Sequence, residues 1–287
     1  VHVLGLLSNH NSAHSSPEHL YALLDLFERE GIKNVYLHLF TDGRDSGAGD
    51  AEVHLRKLRK FTHGNEKIAS IMGRLYGMDR NRNWDRVKLA FDTVAYGKAP
   101  WAASTPGGAL KQAYARGETD EFIAPTVILE NGQPVATVRD NDALFFFNVR
   151  SDRARELTKT FVQPNFEAMN PGSFNRAPLP KNIRFVTMTN YGPDLDAALV
   201  AYPSRTVKDS LVQALCPSHQ LYIAESEKFP HITYFLNGGY AEHFCGEQFV
   251  KVESDKIANY SKRPEMKAKM VADYVIEAIK TERYDFI

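Results

Sequence analysis

Val1-His2-Val3-Leu4-Gly5-Leu6-Leu7, Asn34-Val35-Tyr36-Leu37-His38-Leu39-Phe40 and Lys67-Ile68-Ala69-Ser70-Ile71-Met72-Gly73 are short, β-rich apolar runs. Helix-like segments at Pro17 to Glu30, Asp50 to Phe61 and Asn83 to Gly97 alternate with them. That rhythm is the signature of βαβ units, so an α/β fold with a βαβ-type sheet is expected. In the first helix Leu20, Leu23, Leu24 and Phe27 recur on one face, and Pro17 suits a first helical turn after Ser15 or Ser16. This helix should pack on the sheet.

Further along, Thr126 to Leu129, Pro134 to Val138 and Ala143 to Val149 read as strands, with a turn signal at Glu130-Asn131-Gly132. A helix is expected from Ala154 to about Val162, and a strand from Ile183 to Thr189. Pro203-Ser204 breaks the pattern before a fresh helix (Val207 to Leu215) and strand (Leu221 to Ala224), which places a domain boundary near residue 203. The last helix is expected over Pro264 to Thr281. The chain opens without Met in a strand-like run and stops in another, Tyr284-Asp285-Phe286-Ile287, which predicts a piece of a longer polypeptide.

The chain has 287 residues, 43% of them hydrophobic, enough for one large domain or two smaller ones. With 35 basic and 35 acidic residues its formal charge is zero, so no global field favours nucleic acid or an anionic membrane. Any anion recognition must be local. No apolar run approaches the roughly 20 residues that span a bilayer. Two cysteines, Cys216 and Cys245, lack metal-ligand spacing and are too few for a disulfide framework, so reduced thiols and a cytoplasmic setting are expected.

Polar clusters follow the predicted strands at Ser8 to Ser15, Asp42 to Asp45, Gly73 to Arg80 and Arg150 to Arg153. Ligands of open α/β sheets bind at the carboxyl ends of strands, so these loops should converge on one crevice. They carry Arg44, Arg74, Arg80, Arg150 and Arg153 with His14 and Asp45. Guanidinium forks suit a small, multiply charged anion, because each donates paired hydrogen bonds to a phosphate or carboxylate. The same arginines also fit surface ion pairs with Asp45, Asp79 and Asp152. Arg150 and Arg153 are expected at the start of a helix, on one face, where the N-terminus itself favours anions. His14 is a candidate proton donor or carrier near neutral pH, although a loop histidine is more often merely exposed.

Gly73 to Arg80 lacks the Gly-Lys-Ser/Thr of a P-loop, and the histidines form no HExxH set, so neither a nucleotide site nor a complete metal site is expected. Gly238-Gly239 is read as a strand-end turn after Thr233 to Asn237, with a phosphate-approaching turn as the alternative.

At these residues the sequence resembles the cofactor-independent phosphoglycerate mutases, over essentially the whole chain. The resemblance rests on Asp42-Gly43-Arg44-Asp45, Gly73-Arg74, Met78-Asp79-Arg80, Phe147-Asn148-Val149-Arg150-Ser151-Asp152-Arg153, Ala224-Glu225-Ser226-Glu227-Lys228, Asn237-Gly238-Gly239 and Lys262-Arg263-Pro264-Glu265-Met266. It implies that residues 1–202 are an inserted transferase, substrate-binding domain. Residues 203–287 would be part of an alkaline-phosphatase-like α/β domain. It implies interconversion of 3-phosphoglycerate and 2-phosphoglycerate in glycolysis through a phosphoserine, with two divalent ions, commonly Mn2+, in the intact enzyme and none bound to this chain alone.

Position by position, His14, Arg44, Asp45, Arg74, Arg80, Arg150, Arg153 and Lys228 match substrate-contacting residues of that family; the nucleophile and metal ligands match nothing here. The family's Ser-Asp-Gly-Gly-Val-His-Ser-His loop is replaced by Ser8-Asn9-His10-Asn11-Ser12-Ala13-His14-Ser15-Ser16, longer by one residue before the matching histidine. A related phosphotransferase or phosphatase, or a non-catalytic phosphometabolite-binding module, is compatible with the same arginines.

Overall fold

The structure, a computed structural model, describes residues 1–287 except 204, 206, 241, 242, 258 and 259. Its Cα positions divide into two compact units, Val1–Ser204 and Arg205–Ile287. The first unit is built on a nine-stranded sheet. Its strands are β1 (His2–Leu7), β2 (Val35–Thr41), β3 (Glu66–Gly73), β4 (Trp101–Ala103), β5 (Thr126–Glu130), β6 (Gln133–Pro134), β7 (Ala143–Phe146), β8 (Arg184–Thr187) and β9 (Leu199–Val200). Their order is β4-β5-β3-β2-β1-β7-β8-β9, with β6 paired to β5.

The strand that organises this order is β1. It pairs in parallel with β2 on one side and with β7 on the other, Val3 lying opposite both Leu37 and Phe145. From β1 the chain steps outward through β2 to β3, then returns to the other side of β1 for β7, β8 and β9. The gap between β1 and β7 is therefore a topological switch point, where loops at the strand ends diverge and leave a crevice. β4 and β5 run against the parallel set: β5 is antiparallel to both β3 and β6, and β4 pairs in parallel with β5.

Helices cover both faces. Successive side chains of a strand point to opposite faces, and β1 feeds two cores accordingly. Val3 and Leu7 pack with Leu20, Leu23 and Leu24 of α1 (Pro17–Arg29), Leu55 and Leu58 of α2 (Ala51–Leu58) and Leu110 of α5 (Pro106–Ala115). Leu4 and Leu6 pack on the other side with Met78, with Phe91 and Val94 of α4 (Trp84–Tyr96) and with Leu157 and Phe161 of α6 (Arg155–Val162). The single turn α3 (Arg74–Gly77) follows β3 directly, and α7 (Phe166–Met169) lies after α6. As expected, α1 begins at Pro17, but its Ser16 hydroxyl bonds Glu18 rather than capping the helix.

The second unit holds α8 (Leu211–Ala214), the parallel pair β10 (Leu221–Glu225) and β11 (Gln248–Val252), and α9 (Ala268–Lys280). A capping box between Ser210 and Gln213 starts α8. In α9 only Ala278 is buried, while Met270, Tyr274, Ile276 and Ile279 are exposed. Among the described residues no helix is long and apolar enough to cross a membrane.

Several local expectations are corrected. The strand expected over Pro134 to Val138 shrinks to the two-residue β6, which shares two residue pairs with β5. The segment before Gly238-Gly239 is a helical turn over His231–Phe235, not a strand. The pair β4 and α5 was not expected at all; Gly107 and Gly108 obscure the helix pattern, and Thr105 starts it by accepting a bond from the Gly108 N–H at 3.0 Å. Cys216 and Cys245 were expected as free thiols, yet the structure joins them as a disulfide, with Cα atoms 5.7 Å apart. They stand 29 positions apart in sequence, and the fold of the second unit closes that distance.

A buried polar chain crosses the sheet from edge to interior. His2 of β1 meets Asp142 at 3.3 Å through Nε2 and His38 of β2 at 2.9 Å through Nδ1, and His38 reaches the Ser70 hydroxyl of β3 at 2.8 Å. Each ring carries one proton in such a chain. Burial holds His2 down at about 3, helped by the chain's N-terminal ammonium and Arg139. Burial likewise holds His38 well below the ordinary range. A histidine whose folded pKa is depressed contributes stability that is present above pH 6.5 and lost as pH falls toward the folded value. The fold should therefore lose up to about 1.4 kcal/mol per pH unit for each such histidine below pH ~6.5. Urea unfolding at pH 7 and pH 5 reads this; His38→Gln should flatten the dependence, and an unchanged slope would rule the buried histidines out as its cause.

Candidate functional site

The loops that follow β1, β2, β3 and β7 leave the sheet on one side, because those strands are parallel. Gly73 ends β3 where the backbone of Glu121 passes so close that a Cβ would overlap the Glu121 carbonyl. Arg74 follows at once and is thereby delivered into the interior, only 3% exposed. Its Nη1 donates to Asp42 Oδ1 at 2.5 Å and to Asp45 Oδ2 at 3.0 Å. Asp42 is itself buried; it accepts from the Ser8 hydroxyl of the β1 loop and from the N–H groups of Arg44 and Asp45, both at 3.2 Å. One guanidinium thus ties the β2 loop to the β3 end, and Ser8 ties in the β1 loop.

The β1 loop is anchored despite its unusual sequence. Ser12 donates to Asp45 at 2.8 Å and accepts from the His14 N–H at 3.2 Å, while the His14 carbonyl accepts from Val149 N–H at 2.8 Å. This last bond joins it to the β7 loop across the switch point. His14 itself is only 6% exposed. Its Nδ1 lies 3.9 Å from Asp152 Oδ1 and has no hydrogen-bond partner among the described residues.

On the β7 side, Asp152 is a hub. It accepts from Arg80 Nη1 at 2.7 Å and from Arg150 Nε at 2.9 Å. Arg153 donates to the Met78 carbonyl at 3.3 Å. Arg150 and Arg153 were expected at the start of a helix; instead α6 begins at Arg155, Arg153 stands in the turn that precedes it, and Arg150 lies in the loop before that turn. Arg44 is exposed, with Glu121 its nearest anion at 3.7 Å.

The first unit therefore gathers His14, Asp45, Arg74, Arg80, Arg150 and Arg153 at one end of the sheet, with Arg44 at the rim. Lys228 belongs to the second unit, in the turn after β10, and is exposed. The arginines are paired with acids, and they are also massed. Arg153 shows the massing, its pKa brought down to about 10 by burial and then by Arg80, Arg74 and Arg44. Burial opposes ionisation of Asp152, yet Arg150 and Arg80 overcome it and hold its carboxyl below the usual range. For Asp45 the Ser12 hydroxyl and Arg74 do the same.

Two participants were not singled out from sequence. Glu121 comes from the segment after α5, which has no strand-end pattern, and burial raises its carboxyl despite Arg44 and Arg74. Glu156 sits inside α6, three positions after Arg153, a spacing that places it under the same loop. It is 7% exposed and accepts from the Arg82 N–H at 3.0 Å. Asp79 beside it accepts from the N–H groups of Asn81 and Asn83 at 2.9 and 3.0 Å. The segment carrying Arg80 hangs on these carboxyls.

Burial, then the charge and hydrogen bond of Asp79, push Glu156 up to about 8. A carboxyl whose folded pKa is raised weakens the fold as pH climbs from about 4.5 to the folded value, by up to about 1.4 kcal/mol per unit. Glu156→Gln should remove that loss, so the variant's stability relative to the unsubstituted chain should rise between pH 5 and pH 8. Parallel stability curves over that range would contradict a protonated Glu156.

Comparisons place this geometry among known proteins. Residues 1–193 match the family described as the N-terminus of BPG-independent phosphoglycerate mutase. The chain is 44% identical over its whole length to a 2,3-bisphosphoglycerate-independent phosphoglycerate mutase from Methanosarcina acetivorans and 43% identical to one from Thiobacillus denitrificans, covering 55% of each. A crystal structure of Leishmania mexicana phosphoglycerate mutase at low cobalt concentration superposes with a TM-score of 0.87 at 26% identity, over 99% of this chain and 53% of that one. The chain spans about half the length of the curated relatives it matches.

Proposed function

Since the chain belongs to the BPG-independent phosphoglycerate mutase family, we propose that its first unit is the substrate-holding, transferase part of an isomerase that interconverts 3-phosphoglycerate and 2-phosphoglycerate. Residues from 203 onward would begin the phosphatase-like part. A cytoplasmic setting goes with that glycolytic role. The observation that carries the proposal is the massing of Arg74, Arg80, Arg150 and Arg153 with His14 at the switch point between β1 and β7.

The small phosphorylated acid is chemically suited to this crevice. Its carboxylate and phosphate match guanidinium forks, and the acids Asp42, Asp45 and Asp152 fix those forks in place before ligand arrives. In a mutase the glycerate must stay oriented while its phosphoryl group is elsewhere, or the group cannot return to the other hydroxyl. Fixed guanidinium groups hold it at high effective concentration. In the intact enzyme Lys228 would contact the phosphoryl group.

The intact enzyme is expected to use a phosphoserine and two divalent ions, Mn2+ in our reading, which supply charge compensation on the moving phosphoryl group. Among the described residues no group of three or more His, Cys, Asp or Glu side chains is arranged to hold such an ion.

Calorimetric titration of the chain with 3-phosphoglycerate tests the proposal, with glycerol 3-phosphate and inorganic phosphate as controls. Binding should require the carboxylate. Arg150→Ala and Arg153→Ala should each weaken it by about 1.5–3 kcal/mol, the usual worth of a hydrogen bond to a charged group. Unchanged affinity in both folded variants would remove the crevice from consideration as the substrate site.

A further inference from the structure

We infer that His14 is the proton-accepting element of this crevice: it takes up a proton from solvent when a phosphorylated hydroxy acid binds, and Asp152 holds the imidazolium that forms. The inference rests on the substrate reading above and adds to it a proton that travels with the ligand.

The geometry is that of an unfinished hydrogen-bond site. His14 is buried, and its Nδ1 faces Asp152 Oδ1 at 3.9 Å, too far for a hydrogen bond, with no other partner among the described residues. A buried polar atom left in this state is costly and calls for an explanation. The groups around the ring come from three directions: Arg74 of α3, Asp45 of the β2 loop, and Arg150, Asp152 and Arg153 of the β7 loop. From its own loop the Ser12 hydroxyl accepts from the His14 backbone N–H.

Without ligand the ring is neutral. Burial, then Arg74, bring it down to about 4; Asp152 pulls the other way, and Arg150 and Arg153 add to the lowering. A bound dianion offsets the field of the arginines but not that of Asp152. The balance at the ring then reverses, and protonation becomes favourable at pH values where the empty crevice keeps it neutral. The imidazolium is a donor at both nitrogens, so Nδ1–H faces Asp152 and Nε2–H serves the ligand. When the ligand leaves, the proton returns to solvent.

Titration of the chain with 3-phosphoglycerate at pH 6, in buffers of different ionisation enthalpy, counts the protons exchanged on binding. The ligand's own phosphate titrates nearby, so the informative quantity is the difference between the unsubstituted chain and His14→Gln, which keeps a polar group but cannot take the proton. That difference should be about 0.5–1 proton taken up. Asp152→Asn should reduce it, and the His14 ring Cε1–H resonance should titrate at higher pH in the presence of ligand. Binding with equal proton counts in the two proteins would overturn the inference and leave the substrate reading standing. Failure of folded, unsubstituted chain to bind 3-phosphoglycerate would overturn that reading and the inference with it.

Discussion

Parallel pairing of one strand on both its edges constrains everything else in the first unit. Because β1 has β2 on one side and β7 on the other, running the same way, the loops after all three emerge at one end of the sheet. The crossover helices must then lie on opposite faces, α1 and α2 on one, α4 and α6 on the other. Each face of β1 must be apolar, which its buried run from His2 to Leu7 supplies apart from His2 itself. The His14–Val149 backbone bond is the local consequence, since only neighbouring strands of opposite departure bring those two loops side by side.

Massing cations beside a sheet end is unfavourable unless something offsets it. Arg74 shows how the protein does so: it is almost wholly buried, and both carboxylates it touches lie on the β2 loop. Desolvating such a pair costs several kcal/mol per ion, and attraction recovers it only where further hydrogen bonds satisfy the remaining lone pairs. Asp42 meets that condition through Ser8 and two backbone N–H groups. The pairs therefore position the arginines more than they stabilise the fold.

The βαβ rhythm, the positions of α1, β2, β3 and α4, and the loops carrying His14, Arg44, Arg74, Arg80, Arg150 and Arg153 were legible because apolar periodicity and strand-end polarity are local properties. What lay beyond the sequence was long-range. Glu121 and Glu156 enter the site from a connecting segment and a helix interior, and no local pattern marks either. The Asp142-His2-His38-Ser70 chain looks, residue by residue, like scattered polar positions in apolar strands; only the parallel register aligns them. The cysteines failed for the same reason, since distance along the chain says little about distance in space.

His14 and Arg153 act as two probes of the potential inside the crevice. Both hold their protons less tightly than usual, and after burial the largest cause in each case is another arginine rather than a carboxylate. Acidic neighbours surround these groups, so a simple tally of charges would call the region nearly neutral. Position decides otherwise, because Asp42 lies beneath Arg74 and spends its field there, while Asp152 is shared between Arg80 and Arg150. On the proposed reading, a small anion entering the crevice would meet arginines already tethered by Asp42, Asp45 and Asp152, so little reorganisation would oppose its binding.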